Sequence, residues 1–204
     1  MRPRRVALFR GAAALLILVV AACQQSASAS ATPSPSPPEG SGFPSSIGPI
    51  PSFVGNQALE DTLPTEAAGI SFFTFSMSGP DFVASEVDQQ FLNFLDRLDA
   101  DIDQVSVAFA IGANSAGTQT ASVFAFQVAG AVAADLIDEF QASAEEGGDP
   151  LNWHSATIGG KSVQEADPNA DFPTPVVLYA TGDVLYFASS TDPDALDAIV
   201  AGLP

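Results

Sequence analysis

Three aspartates at alternate positions, Asp99, Asp101 and Asp103, form the D-x-D-x-D pattern that opens a calcium loop, where alternate carboxylates converge on a hard cation. The rest of such a loop is missing. Gln104 stands where glycine would make the sharp turn, and Ala110 stands where a bidentate glutamate is needed. An EF-hand is therefore excluded, and the expectation is an acidic helix-to-strand connection. His154, the single histidine, follows Trp153 at the start of an expected strand and is of the type that serves as general base or metal ligand. One imidazole without a second histidine or a nearby cysteine makes a poor zinc site, and serine chemistry needs a positioned partner that spacing does not reveal. No G-x-S-x-G, P-loop, H-E-x-x-H or helix-opening G-x-G-x-x-G occurs, so no motif assigns a catalytic residue, a metal or a cofactor. With 24 acids, carboxylate pairs arise by number alone, and a glycosidase pair is defined by its separation in space. The loop ADPNADFPTP, residues 166–175, is proline-fixed, acidic and aromatic at Phe172, which suits contact with a partner.

The elements that would position these residues follow from hydrophobic period. ISFFTFSM after Gly69 alternates Phe73, Phe75 and Met77 against Ile70 and Phe72, a strand expected to be buried on much of both faces. After Ser78-Gly79-Pro80, the capping-type pair Ser85 and Asp88 and the recurrence of Val87, Phe91, Phe94, Leu95 and Leu98 predict a helix over about 86–98. Val105, Val107, Phe109 and Ile111 alternate with small residues, and Ser122, Phe124, Phe126 and Val128 alternate again after the loop NSAGTQT, an antiparallel pair. Leu136, Ile137, Phe140 and Ala144 mark a helix stopped by Gly147-Gly148. HSATI and KSVQEA flank Gly159-Gly160 as a hairpin, and PVVLYA and VLYFAS flank Thr181-Gly182-Asp183 as another. A last helix begins near Asp192-Pro193, with Thr191 and Asp194 spaced as a cap pair, and buries Leu196, Ile199, Val200 and Leu203. A short helical turn is expected at Ala58–Asp61, and ALEDTLP (58–64) is echoed weakly by AIVAGLP (198–204). These elements predict an α+β fold, an antiparallel sheet of about seven strands with helices on one face. Its βαββα beginning is similar to a ferredoxin-like arrangement.

Apolar residues make up 47% of the chain and include fifteen phenylalanines, too many for a disordered chain. A domain over residues 46–204 buries about 68–70% of the surface its unfolded chain exposes, enough to fold without disulfide or metal. Residues 24–46, QQSASASATPSPSPPEGSGFPSS, offer almost nothing to bury and read as an extended, disordered stalk.

The first ten residues carry Arg2, Arg4, Arg5 and Arg10 and no acid, and the apolar run 12–22 follows. Eleven residues rise about 17 Å as a helix, well short of a hydrocarbon core of about 30 Å, so the segment reads as an export signal. Val20, Ala21, Ala22 and Cys23 stand at its end, and they resemble the lipobox of bacterial lipoproteins: an aliphatic residue, two small residues and a cysteine. The resemblance covers about the first 25 residues and implies diacylglycerol on Cys23, cleavage before it and anchorage on the extracytoplasmic side of a membrane. Each buried methylene of the acyl chains contributes about 0.8 kcal/mol to that anchorage. Cys23 is the only cysteine, so the chain has no internal disulfide.

The expected map is a signal peptide at 1–22, a lipidated cysteine and stalk at 23–45 and one α+β domain at 46–204. Cleavage removes four of the six basic residues. Arg97 and Lys161 then face 24 acids, and 2 − 24 leaves a formal charge of −22. A chain with two cations cannot neutralise a phosphate backbone, which argues against nucleic acid as a partner. The leading expectation is a non-catalytic envelope domain that binds a ligand or protein. The alternatives are an unrecognised hydrolase-like enzyme, marked by a cleft with converging polar groups, and a purely structural acidic surface protein.

Overall fold

The alternating segments all join one antiparallel sheet. The computed structural model describes residues 55–86, 89–146, 151–169 and 173–204. The expected signal peptide, the lipobox-like Val20-Ala21-Ala22-Cys23 and the expected stalk lie outside these residues, as do the expected Gly147-Gly148 helix stop and Phe172. Among the described residues there are eight strands: β1 (Glu66–Ala67), β2 (Ile70–Ser78), β3 (Val105–Asn114), β4 (Thr120–Val128), β5 (Trp153–Ile158), β6 (Lys161–Ala166), β7 (Val176–Thr181) and β8 (Val184–Ser190). Their order in the sheet is β1-β2-β3-β4-β8-β7-β6-β5, two four-stranded meanders joined where β4 pairs with β8. The helices are α1 (Gln57–Glu60), α2 (Gly79–Glu86), α3 (Gln89–Arg97), α4 (Ala133–Glu146) and α5 (Pro193–Gly202).

The α+β class stands, with three corrections. The count is eight strands rather than about seven, because β1 has only two residues and gives no readable alternation. The start is not ferredoxin-like. The α2–α3 excursion returns to the end of the sheet it left, so β2 and β3 pair directly and antiparallel, Ser78 opposite Ser106. The helices also lie on both faces rather than one.

Side-chain size explains the last point. In β3, Val105, Val107 and Phe109 face one way with Phe124 and Phe187 and pack under Phe94, Leu95 and Leu136 of α3 and α4. Ala108 and Ala110 face the other way with Ala121, Ala125 and Ala188, and pack against Leu196, Ile199 and Val200 of α5. Bulky residues on one side and alanines on the other curl the sheet toward its small-residue face as a half-barrel. α5 lies in the concave side, touching β8 and both edge strands, β1 and β5. Leu63 and Leu203, the echoed Leu-Pro leucines, sit in this same cluster at 5% and 4% exposure.

Local signals moved by a few residues. Ser78-Gly79-Pro80, expected only to precede the helix over about 86–98, itself starts a helix at Gly79: Ser78 Oγ accepts from Asp81 N at 3.3 Å and donates to Asp81 Oδ2 at 2.7 Å. The expected Ser85–Asp88 cap lies outside the described side chains. At α5 the cap is Asp192, whose Oδ1 accepts Asp194 N at 3.0 Å, and Pro193 occupies the first turn. β2 also departs from expectation, since Phe73 is 71% exposed at the outer end of an aromatic ladder running through Phe75 to Phe109.

Candidate functional site

The aspartate triplet is absorbed into chain geometry. Asp99 has φ 51 and ends α3 in a Schellman motif, with Ala100 N donating to Leu95 O and Asp99 N to Asp96 O. Asp101 opens the 3₁₀ turn Ile102–Gln104, and its N donates to Gln104 Oε1 at 2.7 Å. Gln104, which fails the calcium pattern, is thus the residue that closes this cap. Among the described residues no three His, Cys, Asp or Glu side chains converge as metal ligands.

A polar chain that sequence reasoning missed ties α1 to the sheet. Ser76, 5% exposed, donates to Glu60 Oε1 at 2.5 Å and accepts Asn56 N at 2.7 Å. Asn56 Nδ2 continues to Gln127 Oε1, and Gln127 Nε2 to Asp183. Beside it Tyr186 is 1% exposed, and burial pushes its phenol above the usual tyrosine range, an effect partly offset by a hydrogen bond with Thr62. The Ser76 hydroxyl is committed in both directions, and its role here is to pin α1 over β2.

A carboxylate and the imidazole meet at the other end of the concave side. His154 on β5 and Glu165 on β6 are direct cross-strand partners, with Nε2 3.4 Å from Oε2. The imidazole is about half exposed and the carboxylate more covered. Gly159 and Gly160 turn β5 into β6 with φ of 57 and 76, the left-handed pair that a two-residue hairpin needs. This turn rests on α5, where Asp197 Oδ1 accepts Gly159 N at 2.7 Å.

Between the hairpin and the start of α5 lies a cleft of about 440 Å³. Pro173, Pro175 and Pro193 form stiff walls, Ile158 and Leu196 an apolar floor, and Glu165 and Asp197 supply negative charge. Thr174, Ser190 and Thr191 add hydroxyls. The partner-suited loop 166–175 thus contributes through Pro173–Pro175, while residues 170–172 lie outside the described residues. The start of α5 is fixed to β4 by Thr191 N to Thr120 O at 3.0 Å and by Gln119 to Asp192. Among the described residues no hydroxyl is hydrogen-bonded to His154, and the neighbouring Ser155 Oγ accepts from Gln164 instead.

Sequence reasoning singled out His154 but had no signal for Glu165 or Asp197, two acids among many. Among the described residues no helix is long and apolar enough to cross a membrane. No protein-family model, curated protein or solved structure matches this chain.

Proposed function

We propose that this chain is a bacterial envelope lipoprotein, held to a membrane by lipid on Cys23, whose half-barrel domain binds a positively charged ligand without catalysis. One observation carries the binding reading. α5 fills the concave side of the sheet, and the cleft it leaves at its start is walled by prolines and holds Glu165 and Asp197. A formal charge of −22 on the mature chain draws cations toward that cleft. Titration with a linear diamine, followed by the fluorescence of Trp153, is expected to saturate, to weaken with added salt and to weaken at least tenfold in Glu165→Gln. Equal affinity of the wild type and Glu165→Gln would remove the cleft from the account.

The tether rests on Val20-Ala21-Ala22-Cys23 and the cysteine's uniqueness. Metabolic labelling with a fatty-acid analogue should mark the wild type and miss Cys23→Ser, and equal labelling of the two would reject it. The hydrolase-like alternative is favoured by the His154–Glu165 pair, half of an acid–base relay. Ester or amide turnover that His154→Gln abolishes would put that alternative first.

A further inference from the structure

The two edges of the sheet are finished differently. On one side β1 has two residues, and the chain before it runs along β2: Phe72 N donates to Thr65 O, and Asn56 N to Ser76 Oγ. On the other side β5 is six residues long, is paired among the described residues only with β6, and carries neither proline nor lysine. Such an edge is a ready template for another strand, and proteins ordinarily blunt it.

The register shows which groups are free. Ile158 and Lys161 flank a two-residue turn and so form a hydrogen-bonded pair, as do Ala156 with Val163 and His154 with Glu165 by alternation. Ser155 and Thr157 therefore direct N–H and C=O away from the sheet. Both are exposed, and among the described residues neither has a backbone hydrogen bond outside the ladder. Trp153 N, which points the same way, is already turned onto Leu151 O at 3.0 Å.

We propose that β5 is a docking edge for an extended, positively charged peptide segment, which adds a further strand to the sheet. Charge selects that occupant. β5 has no acid, but on its concave side Glu165 stands beside His154 at one end and Asp197 holds Gly159 N at the other. His154 and Ile158 are four residues apart, about 13 Å along a strand, so basic side chains at positions i and i+4 of the incoming segment reach the two carboxylates. A second copy of the proposed mature chain would bring a charge of −22 against −22, and its β5 supplies no lysine or arginine. The proposal rests on the same two carboxylates as the cleft reading and adds the backbone edge.

Trp153, the only tryptophan, lies on β5 and reports occupancy by fluorescence. The membrane-extracted chain in neutral detergent is titrated with a threonine–valine peptide bearing lysines at i and i+4. Two control peptides are used, one N-methylated at alternate residues along one edge and one with glutamate for lysine. Saturable binding is expected, at least tenfold weaker for each control peptide. It should also be at least tenfold weaker in Thr157→Pro, where proline removes an outward N–H and leaves the β6 ladder intact. Diamine binding to the cleft should be unchanged in that variant. If Thr157→Pro loses its circular dichroism, the N-methylated peptide decides alone. Absence of peptide binding, equal affinity for the N-methylated peptide, or dimers formed through β5 would each overturn the edge proposal. Diamine binding that persists in those cases leaves the cleft reading standing, and its loss removes both.

Discussion

Gly159→Ala and Gly160→Ala test whether α5 is seated on the β5–β6 turn. Both glycines have left-handed φ, 57 and 76, so an L side chain at either costs about 1–2 kcal/mol in backbone strain. Their surroundings differ. A Cβ on Gly159 would lie 2.3 Å from Ala201 N and 2.7 Å from Asp197 O, backbone atoms of α5, whereas one on Gly160 meets nothing within 4 Å. Overpacking of a fixed neighbour typically costs about 1–3 kcal/mol, so Gly159→Ala is expected to lose about 2–5 kcal/mol in all. Gly160→Ala should lose only the strain. Urea unfolding of the two variants at one ionic strength measures the difference, and hydrogen exchange at the α5 amides shows whether the helix has lifted. Equal losses, or a Gly159→Ala loss with α5 still protected, would refute the seating of the helix on the turn.

Other expectations concern single residues. Asp99→Gly relieves a non-glycine residue at φ 51 and should raise stability by up to about 1 kcal/mol in denaturant titration, whereas a loss would show that the aspartate side chain is needed there. Replacing Asp99, Asp101 and Asp103 together by asparagine should leave the thermal response to calcium and to magnesium alike at matched ionic strength. A saturating, calcium-selective rise abolished by the triple change would restore a metal site. Tyr186 binds its proton more tightly folded than unfolded, so above about pH 10, where an unfolded tyrosine ionises, the folded state holds the extra proton and stability falls as pH rises. Tyr186→Phe should flatten that part of the stability–pH curve. An unchanged slope would show that the buried phenol is not its source.

The strand and helix periods were written plainly in the chain, and β2 through β8 lie close to where alternation puts them. The buried set of α5, Leu196, Ile199, Val200 and Leu203, also follows from spacing alone. What spacing hides is which face a helix covers. The alternate alanines of β3 and β4 resemble the solvent side of a one-faced sheet, yet Ala108, Ala110, Ala121 and Ala125 are at most 5% exposed, because small side chains let α5 approach closely. The candidate site was less legible. Ile158, Glu165, Thr174, Thr191 and Asp197 come from five separate segments, and only the curl of the sheet around α5 brings them together. The aspartate triplet, conspicuous in sequence, marks a helix end because Asp and Gln serve caps as readily as they serve cations.

The placement of α5 also bears on the order in which the chain can become native. Each meander is built from neighbours in sequence, but β4 and β8 meet across a long separation, and the helix that fills the curl follows every strand. Until residues 193–203 arrive, the alanine-lined side of the sheet faces water and neither meander has a complete interior. Pairing between distant strands is slow because loop closure precedes its reward. Cooperative folding is thereby deferred until the whole domain is present. A chain cut before Pro193 would consequently bind a dye specific for exposed apolar surface, and adding the missing helix as a peptide would quench that signal.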